Sequence, residues 1–101
     1  MPDSIGAFDW DAGNRDKCRK HGVSLTEIET LFRGPLAIHP IGLRGKEERF
    51  IGVGRTAEGR NVLIVFTLRQ RGEKSLIHPI SARYMHRREI IQYEKAAKTQ
   101  D

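Results

Sequence analysis

The sequence predicts a small α+β domain, in which two helices precede an antiparallel sheet of about four strands and a third helix closes the chain. The chain has 101 residues, which is enough for one domain with one hydrophobic core. Apolar residues recur at helical spacing before Gly34 and at strand spacing after it. We expect the domain to span residues 7–98, after a disordered segment at residues 1–6.

A short strand and two helices are predicted before Gly34. Residues 7–11 alternate between apolar and acidic side chains, which favours a strand, and Asp11 is a suitable N-cap for the helix that follows. We expect that helix over residues 12–20, with a glycine terminating it at position 22. Residues 24–27 read Ser-Leu-Thr-Glu, a capping box that predicts the start of a second helix.

The rest of the chain is predicted to be a run of strands followed by a helix. The strands are expected at residues 36–41, 47–55, 61–69 and 74–83, and the helix at residues 86–98, with residues 41–46 forming a loop. The third of these strands is apolar on both faces, which suits a central position in the sheet. Pro79 has no N–H to donate, so we expect the last strand to be bulged or at an edge there.

Positive charge is concentrated in the second part of the chain. Residues 1–41 contain five basic and six acidic residues, a net charge of −1, whereas residues 42–101 contain thirteen and seven, a net charge of +6. Nine of those thirteen basic residues are arginines, whose guanidinium groups bind phosphate through paired donors. This distribution predicts an anionic partner, with nucleic acid first, and the alternative is an ordinary solvated basic surface.

Several classes of protein are disfavoured by the sequence. Cys18 is the single cysteine, which excludes a disulfide scaffold and a cysteine-based zinc site within one chain. No apolar run approaches the roughly 20 residues that span a bilayer, and no signal peptide is visible. Carboxylates and histidines show no metal-ligand spacing, and no glycine-rich phosphate loop occurs. We therefore expect a cytoplasmic protein with no membrane contact, no metal and no cofactor.

An ordered set of short motifs gives the chain a family resemblance. The motifs are Phe8-Asp9-Trp10-Asp11, Lys20-His21-Gly22-Val23-Ser24, Glu47-Glu48-Arg49, Thr67-Leu68-Arg69 and Ile80-Ser81-Ala82-Arg83, followed by Glu89 and Tyr93. The set covers residues 8–94 and resembles the BrnT family of toxins from bacterial type II toxin–antitoxin modules. The resemblance implies a RelE-like fold, endoribonuclease activity that blocks growth, and inhibition by a BrnA-like antitoxin, with a toxin homodimer inside the complex. Two departures are His86, where the family pattern has a threonine, and His78-Pro79 in the last strand.

Cleavage of RNA without a metal needs a base for the 2′-OH, cations for the phosphorane and an acid for the leaving oxygen. Arginine suits the second task because its guanidinium stays charged. On the matched motifs we predict that Arg83 and Arg69 are catalytic. The residues predicted to bind RNA are Arg49, Arg60, Arg87, Thr67 and Ser81.

The base is left open between His21 and Glu48. His21 lies in a matched motif, although at a helix end it could instead bond free carbonyls. Glu48 and Glu47 are adjacent in a strand and point to opposite faces, so only one of them can enter a given site. The other histidines, His39, His78 and His86, are weaker candidates because a lone histidine is more often structural.

Two functions from different classes fit these residues. The first is a metal-independent endoribonuclease toxin, and the alternative is a non-catalytic toxin-like module that binds nucleic acid or protein. A DNA-binding regulator is disfavoured, because the second helix carries Glu27 and Glu29, which would repel phosphate.

Overall fold

The computed structural model describes residues 5–99 and contains three helices and five strands. In chain order these are β1 (Ile5–Phe8), α1 (Ala12–Arg19), α2 (Leu25–Arg33), β2 (Ala37–Arg44), β3 (Glu47–Arg55), β4 (Asn61–Arg71), β5 (Lys74–Tyr84) and α3 (Arg87–Thr99). The segment expected to be disordered, residues 1–6, lies outside the described residues apart from its last two, which belong to β1. Within the described part of the chain, no helix is long and apolar enough to cross a membrane.

The five strands form one mixed sheet in the order β1-β5-β4-β3-β2. β1 pairs with β5 in parallel, and the other neighbours are antiparallel hairpins. The predicted antiparallel sheet of about four strands is therefore wrong in strand count and in the direction of one pair. β1 and β5 are separated by both N-terminal helices and three strands, so no local turn signal marks their pairing.

The hydrophobic core lies between the sheet and the two N-terminal helices. Val62, Ile64 and Phe66 alternate along β4 and are buried against the helices. Ser24 caps α2, since its Oγ accepts from the Glu27 N–H at 3.0 Å and its own N–H donates to Glu27 Oε1 at 3.1 Å. The capping box fixes the start of α2 and so presents its apolar side to the sheet.

A bulge in β5 changes which face its side chains occupy. Val65 pairs with Ser81 and Phe66 pairs with Pro79, so Ile80 is an extra residue. The predicted irregularity at Pro79 is confirmed as a bulge inside the sheet. Ile77 and Ala82 both belong to the core, although they are five positions apart and regular alternation would place them on opposite faces.

The last helix crosses the other face of the sheet near one end. Arg83 of β5 binds Glu89 of α3, and the Tyr93 hydroxyl lies 3.1 Å from Nε2 of His39 in β2. β2 is longer than predicted, because the expected loop at residues 41–46 is reduced to a turn with Gly45 at a φ of 65°. The end of the sheet away from α3 is left open on this face.

Candidate functional site

A cleft of about 240 Å³ lies between the start of α1 and the face of the sheet opposite the core. It is lined by charged and polar side chains from four elements. The lining includes Asn14, Lys17, Glu47, Arg49, Arg69 and His78. Three cationic side chains and an imidazole in one concave surface make this the best candidate for a site that binds an anion.

The register of the sheet brings the cleft residues together. Arg49 of β3 pairs with Thr67 of β4, which pairs with His78 of β5. Residues paired across strands share a face, so the guanidinium and the imidazole flank the threonine. Thr67 is 1% exposed and donates its hydroxyl to the carbonyl of Glu48 at 2.6 Å, so it fills the floor between them.

Arg49 holds an unsatisfied donor. Its side chain is half-buried, and its Nε is the single buried side-chain polar atom without a hydrogen-bond partner within the described chain. Leaving such a donor unpaired costs on the order of 1–3 kcal/mol, and more for a charged group. Arg49 also lines the cleft and has no ion-pair partner among the described residues, so an anion bound there would offset its charge.

Arg69 is partly neutralised by a neighbour. Its Nε donates to Oε2 of Glu47 at 3.3 Å, and both side chains are about one-third exposed. An ion pair this exposed is weak, because water and salt screen it. Arg69 can therefore exchange its carboxylate partner for a phosphate at little cost.

His78 lies where β1 ends beside β5. It is 6% exposed, and its Nδ1 lies 3.0 Å from Oδ2 of Asp9. The last backbone bond from the β1 segment runs from the Asp9 N–H to the Ile77 carbonyl at 2.8 Å. Beyond it, the Asn14 amide donates to the carbonyls of Asp9 and Pro79, both at 2.9 Å. Asn14 thus joins α1 to β5 where the strand can no longer do so, and these bonds fix the wall of the cleft beside the imidazole.

The structure places two of the predicted site residues, Arg49 and Arg69, in the cleft lining, and Thr67 is buried between Arg49 and His78. Glu48 is exposed, and strand alternation turns it to the opposite face, so Glu47 is the glutamate that enters the cleft. Ser81 lies on the cleft face of β5 but is not part of the cleft lining.

Arg83 lies outside the cleft and is bound to Glu89. Its two terminal nitrogens donate to the two carboxylate oxygens, and this hydrogen bonding raises the pKa of Arg83 above its ordinary value. The hydrogen bonds from Arg83, and to a smaller extent the one from the backbone N–H of His86, lower the pKa of Glu89 to about 2. Both groups therefore stay charged across the physiological range, and their pairing anchors α3.

The other predicted site residues are not near the cleft. The guanidinium carbon of Arg60 lies 3.4 Å from the centre of the Tyr84 ring, on the side of the sheet that carries the helices. The Tyr84 hydroxyl in turn donates to Glu27 of α2 at 3.0 Å. His21 and Arg87 are exposed at the end of α1 and the start of α3, and neither lines the cleft.

Sequence reasoning gave no site role to Asp9, Asn14 or Lys17, preferred Glu48 to Glu47, and ranked His78 among the weaker candidates for the base. Asp9 and His78 are 69 positions apart, and no spacing rule connects them. Pro79 was the one available signal, because a bulge beside a histidine reorients that side chain.

The comparisons with known proteins give one match. A family model described as "Ribonuclease toxin, BrnT, of type II toxin-antitoxin system" matches residues 10–89, which include every residue of the cleft lining named above. No curated protein matches the chain significantly.

Proposed function

The chain belongs to the BrnT family of ribonuclease toxins of type II toxin–antitoxin systems, and from this we propose that it cleaves RNA, without a metal ion, in the cleft between α1 and the sheet. Membership implies an RNA substrate and an antitoxin partner in general terms. The observation that carries the proposal is the half-buried Arg49, whose side chain has no hydrogen-bond or ion-pair partner among the described residues and lines a cleft with two further cations.

The cationic residues of the cleft suit a phosphate in the act of transfer. The negative charge on the phosphoryl oxygens grows as the 2′-oxygen attacks, and preorganised donors stabilise that charge. Arg49 offers a free donor, Arg69 offers a guanidinium held by an exposed carboxylate, and Lys17 adds an ammonium at the rim. These fixed charges take the part that a divalent cation plays in other nucleases.

We further propose that this activity inhibits growth until a BrnA-like antitoxin binds. The toxin is proposed to act in the cytoplasm, where its substrate is made, and to form a homodimer within the toxin–antitoxin complex. Family membership supports these proposals. The net charge of +5 also favours an acidic inhibitory segment, whose binding would weaken as salt is added.

The test compares purified wild-type protein with Arg49→Ala and Arg55→Ala on a mixed-sequence RNA in the presence of EDTA. Arg55 is a matched control, because it lies on the same strand and face, about 20 Å from Arg49 along the strand. We expect wild type and Arg55→Ala to cleave equally and Arg49→Ala to be at least about 100-fold slower, the usual loss for one transition-state donor.

Each other outcome has a distinct meaning, provided that thermal unfolding shows the variants to be folded. Full activity of Arg49→Ala would remove the cleft from the reaction. Loss of cleavage in EDTA, restored by magnesium, would overturn metal independence. Salt-sensitive RNA binding that needs Arg49 but gives no cleavage would favour the non-catalytic binding module.

A further inference from the structure

We propose that His78 is the general base of the cleft and that Asp9 fixes the tautomer of its imidazole ring. This inference rests on the proposed ribonuclease activity and assigns its proton-transfer step to one atom, His78 Nε2. The argument depends on how the hydrogen bonds around the imidazole are shared among Asp9, Asn14 and the backbone of β5.

The hydrogen bonds of Asn14 determine which ring nitrogen carries the proton. The two amide hydrogens of Asn14 go to the carbonyls of Asp9 and Pro79, both at 2.9 Å. His78 Nδ1 lies farther away, at 3.5 Å from the same nitrogen, and no hydrogen is left for it. Its remaining polar neighbour is Asp9 Oδ2 at 3.0 Å, which can only accept when ionised. The hydrogen-bond network therefore assigns the proton to Nδ1.

In the neutral ring, the other nitrogen then has a free lone pair. Nε2 of His78 has no hydrogen-bond partner within residues 5–99. The His78 side chain is 8% exposed, and it lines the cleft. An unprotonated nitrogen at the surface of a phosphate-binding cleft is the geometry that a general base needs.

The charges around His78 suit a group that gains a proton during the reaction. Asp9 lies behind the ring and stabilises the imidazolium once it forms, in the manner of an aspartate that orients a catalytic histidine. Asp9 is itself held by Arg71, whose Nη2 donates to the same Oδ2 at 3.4 Å. The charged groups that face His78 from the surrounding elements are Asp9, Asp11, Lys17, Glu47, Arg49 and Arg69.

The proposed step balances as follows. Nε2 takes the proton of the ribose 2′-OH, and the 2′-oxygen forms a bond to the adjacent phosphorus. The bond from phosphorus to the 5′-oxygen breaks, and that oxygen takes a proton from water at the open side of the cleft. The imidazolium then returns its proton to the resulting hydroxide. The products are a 2′,3′-cyclic phosphate and a free 5′-hydroxyl.

A purely structural role is the competing interpretation, because the Asp9–His78 pair also joins the β1 segment to β5. His78→Asn separates the two roles. The amide nitrogen of asparagine can occupy the place of Nδ1 and still donate to Asp9, but nothing replaces Nε2. We expect His78→Asn to unfold near the wild-type temperature and to cleave RNA at least about 100-fold more slowly.

The decisive measurement is the pH dependence of kcat/KM between pH 5 and 9 for wild type, His78→Asn, His78→Ala and His39→Ala. His39 is an exposed histidine on β2, the edge strand on the opposite side of the sheet from β1, and serves as the control. We expect wild type and His39→Ala to gain activity as an imidazole loses its proton. The His78 variants should lack that step, and added imidazole should partly restore His78→Ala.

A folded His78→Asn protein with near-wild-type activity and an unchanged pH profile would overturn this inference and leave the ribonuclease proposal standing. If wild type cleaves no RNA at any pH, both proposals fail together. Loss of activity that imidazole does not restore, in variants that also lose stability, would assign His78 a structural role instead.

Discussion

Arg83 and Glu89 are joined by two parallel hydrogen bonds, Nη1 to Oε1 and Nη2 to Oε2, each 2.7 Å long. Glu89 Oε1 also accepts from the backbone N–H of His86 at 2.9 Å, at the start of α3. The shortest ion pair among the described residues therefore joins α3 to β5. Arg83 belongs to one of the matched motifs, and its contacts explain its presence there without a catalytic role.

Arg83→Ala is expected to lower the free energy of unfolding at pH 7. The arginine holds the pKa of Glu89 at about 2, below the ordinary 4.5. A lowered pKa in the folded state contributes stability above pH 4.5, and this contribution is lost as the pH falls towards 2. In urea unfolding, the difference in free energy of unfolding between wild type and Arg83→Ala should shrink as the pH falls from 4.5 towards 2, and Arg87→Ala is the control. A difference that stays constant over this range would contradict the charge-based explanation.

Ser24→Ala is expected to destabilise the protein by about 1 kcal/mol, because it removes the N-cap of α2. The Glu27 N–H would lose its acceptor, and half of the capping box would be broken. Urea unfolding measures the loss, and Thr26→Ala, an exposed change in the first turn, is the control. Equal effects of the two substitutions would show that the cap contributes little.

Gly54→Ala is expected to destabilise the protein by about 1–3 kcal/mol through overpacking. A Cβ at this position would lie 2.9 Å from Leu36 Cδ1 and 3.0 Å from Leu31 Cδ2. Leu36→Ala in the same chain removes one of these contacts, so the double variant should lose less than the sum of the two single losses. Additive losses in thermal or urea unfolding would show that the side chains move aside freely.

Cys18 is expected to resist thiol reagents while the protein is folded. Its side chain is fully buried, and this burial raises the pKa of the thiol from 9.0 to about 11. At pH 8 an aromatic disulfide should modify Cys18 only as fast as the folded structure opens to expose the thiol. The modification should become fast when urea unfolds the protein. Above pH 9 the unfolded chain ionises its thiol first, so the folded state should lose stability. Rapid modification of the folded protein at pH 8 would contradict this.

The elements with local signals are those that the sequence predicts well. The capping box at Ser24 marks the start of α2, and β3 has the bounds expected from its alternation. The parallel pairing of β1 with β5 carries no such signal, because the two strands are far apart in the chain and β1 can pair only after β5 has joined the sheet. The role of Asn14 depends on that pairing and could not be read from its neighbours.

The sequence predicts the positive charge of the candidate site but not all of the residues that form it. Charge distribution and family resemblance pointed to arginines, and Arg49 and Arg69 do meet in the cleft. Alternation separates Glu47 from Glu48 but does not say which one faces the cleft, since that depends on where the helices pack. Asp9 and His78 meet only through the order of strands in the finished sheet.

The extra residue Ile80 shifts the alternation of side chains along β5 by one position. Downstream of it, Ala82 points into the core, whereas upstream of it His78 points into the cleft. Deleting Ile80 would remove the bulge and leave His78 and Ala82 three positions apart, so regular alternation would keep the imidazole in the cleft and Ala82 in the core. Deleting a second residue would put both side chains on one face, and either the imidazole would enter the apolar core or Ala82 would leave it. The bulge therefore allows β5 to lose one residue, and only one, without changing the cleft.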